Sequence, residues 1–174
     1  MNWINFLQNN FTLFLCLLLI SSFQLILANT ANDEFVNYQI IDGDTLKKNQ
    51  KRYRIQGIDS PELRQLCWIE DQPWLCGEAS RDYLINIQGS SGMLCIKVDK
   101  DRYQRDIVKC SVKTYDGLKD VGSIMVEEGY ALAYRRYSKD YIDEEELAKE
   151  NKKGLWRTKF IKPWEWRRDK SKRK

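Results

Sequence analysis

The run Asp42-Gly43-Asp44-Thr45-Leu46-Lys47-Lys48-Asn49-Gln50-Lys51-Arg52-Tyr53-Arg54-Ile55-Gln56-Gly57-Ile58-Asp59-Ser60-Pro61-Glu62 decides how this chain is read. With the residues before it, it divides into three short strand-like segments, 36–41, 45–48 and 51–58. The turn signals Asp42-Gly43 and Asn49-Gln50 separate them. Pro61 stops the third segment, because proline carries no backbone N–H and holds Ser60 out of the helical region. Asp44 and Asp59 fall at strand ends beside turns, and Glu62 follows Asp59 by three residues on a stiff connection.

A Trp- and Cys-containing loop, 63–76, comes next. Residues 77–87 then predict a helix, with Ala79, Tyr83, Leu84 and Ile87 at helical spacing. Residues 93–98 and 107–112 read as two arms of a hairpin. A helix is expected over 119–128, with Val121, Ile124, Met125 and Glu128 on one side and Gly129 as its stop. A short strand over 131–134 precedes a helix over 143–153. That helix has acids at its positive end and Lys152 and Lys153 at its negative end. Short strands, a helix after the third, and two helices near the end fit an α+β fold. The form expected is a five-stranded Greek-key β-barrel of OB type with three helices.

Composition narrows the chemistry. The 174 residues include no histidine, which excludes Ser-His-Asp triads, two-His zinc sites and histidine-based nucleases. Carboxylate chemistry, cysteine chemistry or plain binding remain. Residues 152–174 carry 11 Lys/Arg and two acids, whereas the rest of the chain is mildly acidic within an overall net charge of +4. A basic end on an acidic body favours contact with a polyanion.

Residues 1–28 hold no charged side chain and include an apolar run, 11–28. This reads as a secretory signal, cleaved after Ala28 or Ala31. An uncleaved membrane anchor is the alternative. The expected division is 1–28 signal, 29–162 catalytic-type barrel and 163–174 basic tail. The expected location is secreted or periplasmic, or anchored and facing outward. Beyond Cys16 there are four cysteines, Cys67, Cys76, Cys95 and Cys110. An even number in an exported chain indicates disulfides, with three connectivities open.

Asp44 and Asp59 offer oxygen ligands of the kind hard divalent ions require. Glu62 beside such an ion is placed to take a proton from water. Arg54, and Arg105 in Asp101-Arg102-Tyr103-Gln104-Arg105, supply guanidinium donors that match phosphate oxygens. Taken singly, each has an ordinary structural reading. Their joint occurrence carries the inference.

The chain from about 36 to 156 resembles the staphylococcal nuclease family. The carrying residues are Ile41-Asp42-Gly43-Asp44-Thr45, Arg54 with Asp59-Ser60-Pro61-Glu62, Asp101 through Arg105, Glu128-Gly129-Tyr130-Ala131 and Lys153-Gly154-Leu155-Trp156. The resemblance implies an OB barrel and Ca²⁺-dependent hydrolysis of DNA and RNA to 3′-phosphates. It implies Arg54 and Arg105 as phosphate-stabilising arginines and Glu62 as the catalytic acid described as general base. Asp44, Asp59 and the Ser60 carbonyl become calcium ligands, and Arg102, Tyr103, Tyr134 and Tyr137 become substrate contacts. A monomer is expected, with nucleic acid as substrate and no protein partner implied. A non-catalytic nucleic-acid-binding OB module is the alternative, although such a module would lack one or more of Arg54, Glu62 and Arg105.

Gln104 stands where the family has glycine, so a positive φ there would strain the loop before Arg105. If the hairpin turns about Arg102 and Tyr103, facing residues have numbers summing to 205. Val98 then faces Ile107, Ile96 faces Lys109, and Cys95 faces Cys110 at bridging distance. The disulfides expected are Cys95–Cys110 and, from the remaining pair, Cys67–Cys76.

Overall fold

Among the described residues, the longest strand has buried side chains at every second residue. Asp106, Val108, Cys110 and Val112 are buried, and the residues between them are more exposed. Period two with one face inward is what a strand over a core requires. A computed structural model of the chain describes residues 34–169. The expected signal segment lies outside the described residues. Among the described residues, no helix is long and apolar enough to cross a membrane.

The strands are β1 (Gln39–Ile40), β2 (Thr45–Lys48), β3 (Lys51–Ile55), β4 (Ile58–Asp59), β5 (Cys67–Ile69), β6 (Gln72–Trp74), β7 (Leu94–Lys100), β8 (Asp106–Thr114), β9 (Gly117–Asp120) and β10 (Leu132–Ala133). The helices are α1 (Cys76–Gln88), α2 (Val121–Glu127), α3 (Ile142–Glu150) and α4 (Pro163–Arg168), with a 3₁₀ turn at Gly154–Arg157. The antiparallel runs β1-β2-β3 and β7-β8-β9 are joined by one parallel pairing, β3 with β8. This puts six strands in the main sheet, with Tyr53 beside Asp106 and Ile55 beside Val108. Helices cover what the curled sheet leaves open, and the result is an OB-like α+β fold.

Several elements differ locally from the sequence reading. The third strand breaks at Gly57, whose φ is 75°, so β4 leaves the sheet and pairs with β10 instead. The 63–76 loop contains a small hairpin, β5-β6. The helix expected from residue 119 begins at Val121, because Asp120 caps it by accepting from the Ser123 N–H at 2.9 Å. Leu118 and Lys119 belong to β9.

The β7-β8 register follows the sum of 205 from Leu94 to Lys97 and then slips. A bulge at Val98 makes Asp99, not Val98, the partner of Ile107. The extra residue lets a three-residue turn close the hairpin. Asp101 N–H donates to the Arg105 carbonyl, Gln104 N–H donates to the Asp101 carbonyl, and Gln104 is left-handed at φ 64°.

Both expected disulfides are present, Cys67–Cys76 and Cys95–Cys110. The main core holds Leu46, Ile55, Ile58, Leu84, Met93, Val108, Met125 and Val126. A separate cluster gathers Cys67, Cys76, Leu132 and Leu155 under Trp74, Trp156, Phe160 and Trp164.

Cys95–Cys110 closes a loop of sequence separation 15, and a loop of that length gains about 3 kcal/mol from cross-linking. The double variant Cys95→Ser/Cys110→Ser is expected to lose about that much stability in urea denaturation. A loss below about 1 kcal/mol would show that the β7-β8 ladder is held by its hydrogen bonds and packing alone.

Candidate active site

The ends of β2, β3 and β4 bring Asp44, Arg54 and Asp59 together in the interior. Asp44 is 4% exposed and Asp59 is fully buried. One Arg54 Nη2 donates to Asp59 Oδ1 and to the Ile58 carbonyl, each at 2.9 Å, while Nη1 pairs with Asp44 Oδ1. Burial, helped by the charges of Arg105 and Arg167, lowers the Arg54 guanidinium below its ordinary value, and the charges of Asp59 and Asp42 act against that. Two buried carboxylates sharing one guanidinium form a cluster that cannot lose one member cheaply. Breaking a buried pair costs about 3–5 kcal/mol.

Asp42, the first acid of the Asp42-Gly43-Asp44 turn, accepts from the Asp44 N–H at 3.0 Å. Burial pushes its carboxyl above the ordinary carboxylate value, against the opposing pull of Thr45, Arg54 and Arg105. Gly43 allows α1 and Ser60 to close on this turn. A Cβ there would lie 2.0 Å from Ser80 Oγ and 2.7 Å from Ser60 Oγ.

Glu62 is held by the first turn of the same helix. A Cβ on Gly77 would lie 1.8 Å from the Glu62 carbonyl oxygen, so the first turn of α1 rests directly on the Glu62 backbone. Gln65 reinforces this. Its N–H donates to the Glu62 carbonyl at 2.7 Å, and its Oε1 accepts from the Glu62 N–H at 3.3 Å. Glu62 Oε1 accepts from Arg167 at 2.9 Å.

Arg105 stands at the start of β8. Its Nε donates to Asp101 Oδ2 at 2.7 Å, and Asp101 Oδ1 accepts the Arg105 N–H at 2.9 Å. That leaves its terminal nitrogens for another partner. Burial would raise the Asp101 carboxyl, but the bonds from Arg105 hold it below its ordinary value. The left-handed φ of Gln104 confirms that this loop has the geometry for which glycine is suited.

Arg102 donates to the Tyr103 hydroxyl at 2.8 Å, and Tyr103 is exposed. Tyr134 stacks on Trp164 at 5.7 Å, with Tyr137 edge-on behind it at 4.9 Å. A groove of about 1260 Å³ runs past Glu62, and Arg102, Tyr103, Tyr134, Trp164 and Arg168 are among the residues that line it.

An ionised carboxylate has about four acceptor positions. Asp44 takes Thr45 Oγ1, Arg54 Nη1 and the Ser60 N–H. Asp59 takes Arg54 Nη2 and both terminal nitrogens of Arg167. Each therefore keeps one position. Among the described residues, no three acid or thiol side chains form a ready cage. The donor set fits a hard ion taking one oxygen from each aspartate, with backbone and water oxygens completing the shell.

The residue that sequence reasoning missed is Arg167. Its position in the sequence puts it in the basic tail, yet α4 carries it to Asp59 and Glu62, more than 100 residues away in sequence. Pro163 at the first helical position, Glu165 in the first turn and Arg167 and Arg168 in the last were the available signals.

An OB-like barrel with buried acids, a partly exposed glutamate and clustered arginines is the class of a phosphodiester-hydrolysing domain. The family described as "Staphylococcal nuclease homologue" matches residues 52–158. The chain is 31% identical to a micrococcal nuclease of Shigella flexneri, covering 75% of this chain and 78% of that protein. It is 32% identical to an uncharacterized endonuclease of Haemophilus influenzae, covering 75% and 70%. It is 34% identical to a probable endonuclease LCL3 of Arthroderma otae, covering 71% of this chain but only 47% of that protein. The chain belongs to the staphylococcal nuclease family, and its domain is of the nuclease type.

Two substitutions test how the scaffold sets this site. Gly77→Ala forces the Glu62 backbone to move and is expected to cost about 1–3 kcal/mol, as overpacking does. It should also speed hydrogen exchange at the Gln65 amide, and unchanged exchange there would show that α1 does not hold the Glu62 turn. Gln104→Gly relieves a left-handed glutamine and is expected to stabilise by about 1 kcal/mol or less, since glycine's larger unfolded-state entropy offsets part of the gain.

Proposed function

We propose that the protein is an exported, calcium-dependent nuclease that hydrolyses phosphodiester bonds of DNA and RNA with little sequence specificity. The observation that carries this reading is the convergence of Asp44, Arg54, Asp59 and Glu62 from separate segments into one hydrogen-bonded cluster beside a groove. The groove is lined by eight Lys/Arg and two Glu, a balance suited to a polyanion. The family membership points the same way. So do the names of the Shigella and Haemophilus proteins.

Asp44, Asp59 and the Ser60 carbonyl would hold the calcium ion. Bound there, the ion supplies positive charge beside the scissile phosphate. Glu62 Oε2 carries no hydrogen bond among the described residues and is the atom assigned to take a proton from the attacking water. Oxygen from that water bonds to phosphorus, and the bond to the 5′-oxygen breaks; that oxygen takes a proton from solvent, leaving a 3′-phosphate and a 5′-hydroxyl. Arg54 retains Nε–H and one Nη1 hydrogen, and Arg105 retains its terminal donors, for the charge that develops on the phosphoryl oxygens. Arg102, Tyr103, Tyr134 and Tyr137 are assigned to the substrate, Tyr137 by supporting Tyr134. Two disulfides fit an oxidising compartment, which supports secretion or a periplasmic location, with an outward-facing membrane anchor as the alternative.

The full-length protein should cleave DNA and RNA in Ca²⁺ and stop in EDTA, with Ca²⁺ restoring cleavage. Full activity in EDTA would end the calcium assignment. Glu62→Gln and Arg105→Ala should each lower the rate by about 10²–10³ while remaining folded. A folded Glu62→Gln protein cleaving at the wild-type rate would remove Glu62 from its role and favour the non-catalytic binding module.

A further inference from the structure

Arg167 makes three charge-assisted bonds at the site. Nη1 donates to Asp59 Oδ1 at 3.0 Å and to Glu62 Oε1 at 2.9 Å, and Nη2 donates to Asp59 Oδ2 at 2.7 Å. We propose that Arg167 is a positioning residue of the reaction: it fixes Glu62 relative to Asp59 through one planar guanidinium, and α4 is therefore part of the active site. This rests on the nuclease reading above.

The alternative for a cation in this place is a plug that blocks the site. The bonding pattern argues for positioning. Arg167 fills both Asp59 oxygens yet leaves that carboxylate one acceptor position, and it occupies Glu62 Oε1 while leaving Oε2 open. Glu62 needs such support. Its side chain is 40% exposed, and among the described residues only Arg167 bonds its carboxylate. A glutamate without that tether loses its fixed rotamer, and misplacement of about 1 Å costs roughly 10²-fold in rate.

The placement of Arg167 is built in from several sides. Trp164 stacks on Tyr134 and packs on the cluster containing Cys67, Cys76, Leu132 and Leu155. Gln65 Nε2 donates to the Ile161 carbonyl at 2.6 Å, and Trp68 and Lys159 exchange backbone bonds at 2.9 and 2.8 Å. The disulfide-closed loop thus straps residues 159–161, and Pro163 starts the helix that delivers Arg167. Burial alone would lower the guanidinium, but its bonds to Asp59 and Glu62 outweigh that and raise it, so it stays charged at any working pH.

The test compares full-length wild type, Arg167→Ala and Arg167→Lys. Cleavage of single-stranded DNA is followed at saturating Ca²⁺, and Ca²⁺ affinity is measured by calorimetry without nucleic acid. Arg167→Ala is expected to lower kcat by about 10–100-fold, with KM changed less than about threefold. Its Ca²⁺ affinity should not weaken, because a neighbouring positive charge has been removed. Arg167→Lys should recover only part of kcat, since one ammonium cannot span both carboxylates as a planar fork does. If the alanine variant does not fold, the lysine variant carries the test. Higher kcat with tighter Ca²⁺ binding would make Arg167 a plug and overturn the proposal. Wild-type kcat with a lower melting temperature would reduce it to a structural contact and overturn it equally. Wild-type protein that does not cleave with Ca²⁺ overturns the nuclease reading and this one together, whereas a cleaving wild type whose kcat both variants match overturns only this one.

Discussion

The constraint on which the rest depends is the burial of Asp44 and Asp59 around one arginine. Removing two carboxylates from water is tolerable only with a cation and further donors beside them. Arg54 supplies the cation, and Thr45, the Ser60 N–H and Arg167 supply the remaining bonds. This fixes the ends of β2, β3 and β4 against one another. The break at Gly57 follows from the same demand. A straight third strand would carry Asp59 along the sheet rather than turn it back beneath Arg54, where β4 pairs with β10.

Around that cluster the scaffold closes by contact rather than by length of element. Helix α1 touches both halves of the site, the acidic turn at Gly43 and the Glu62 backbone at Gly77, and neither contact tolerates a side chain. Each disulfide then serves a different arginine. Cys95–Cys110 ties the arms of the hairpin whose tip presents Arg105. Cys67–Cys76 closes the loop against which residues 159–161 lie, and so governs the approach of Arg167. Small cores such as the cluster under Trp156 and Trp164 would hold such segments weakly without a covalent tie.

Buried Glu145 plays a similar structural part in the wall of the groove. It accepts from the Ala133 N–H at 3.0 Å and pairs with Arg135 and Lys149, joining α3 to β10. Because β10 pairs with β4, this network supports Asp59 from behind. Its charge is compensated inside the fold, so its burial points to architecture rather than catalysis. Nothing in an acid-rich helix start distinguishes it from its neighbours Glu144 and Glu146 until the packing is known.

What the sequence by itself determined was what local chemistry encodes. Turn residues at Asp42-Gly43 and Asn49-Gln50, the helical spacing of Ala79, Tyr83, Leu84 and Ile87, and the stop at Gly129 act within a few residues of themselves. They placed β2, α1, α2 and the β7-β8 hairpin nearly where they lie. The motif spacing also singled out Asp44, Arg54, Asp59, Glu62 and Arg105 as candidates, since those positions are set by strand ends and turns. The Cys95–Cys110 pair was legible because register propagates along a hairpin from its turn. The Val98 bulge was not, since a one-residue slip depends on the left-handed geometry at Gln104. Only the tertiary structure decided that α4 belongs to the site. Its six residues make no helix that propensity alone would sustain, and its docking rests on Tyr134, Gln65 and the 67–76 loop, all far away in sequence. Contacts of that separation are fixed by which buried surfaces remain to be covered once the barrel has closed, and no local pattern records them.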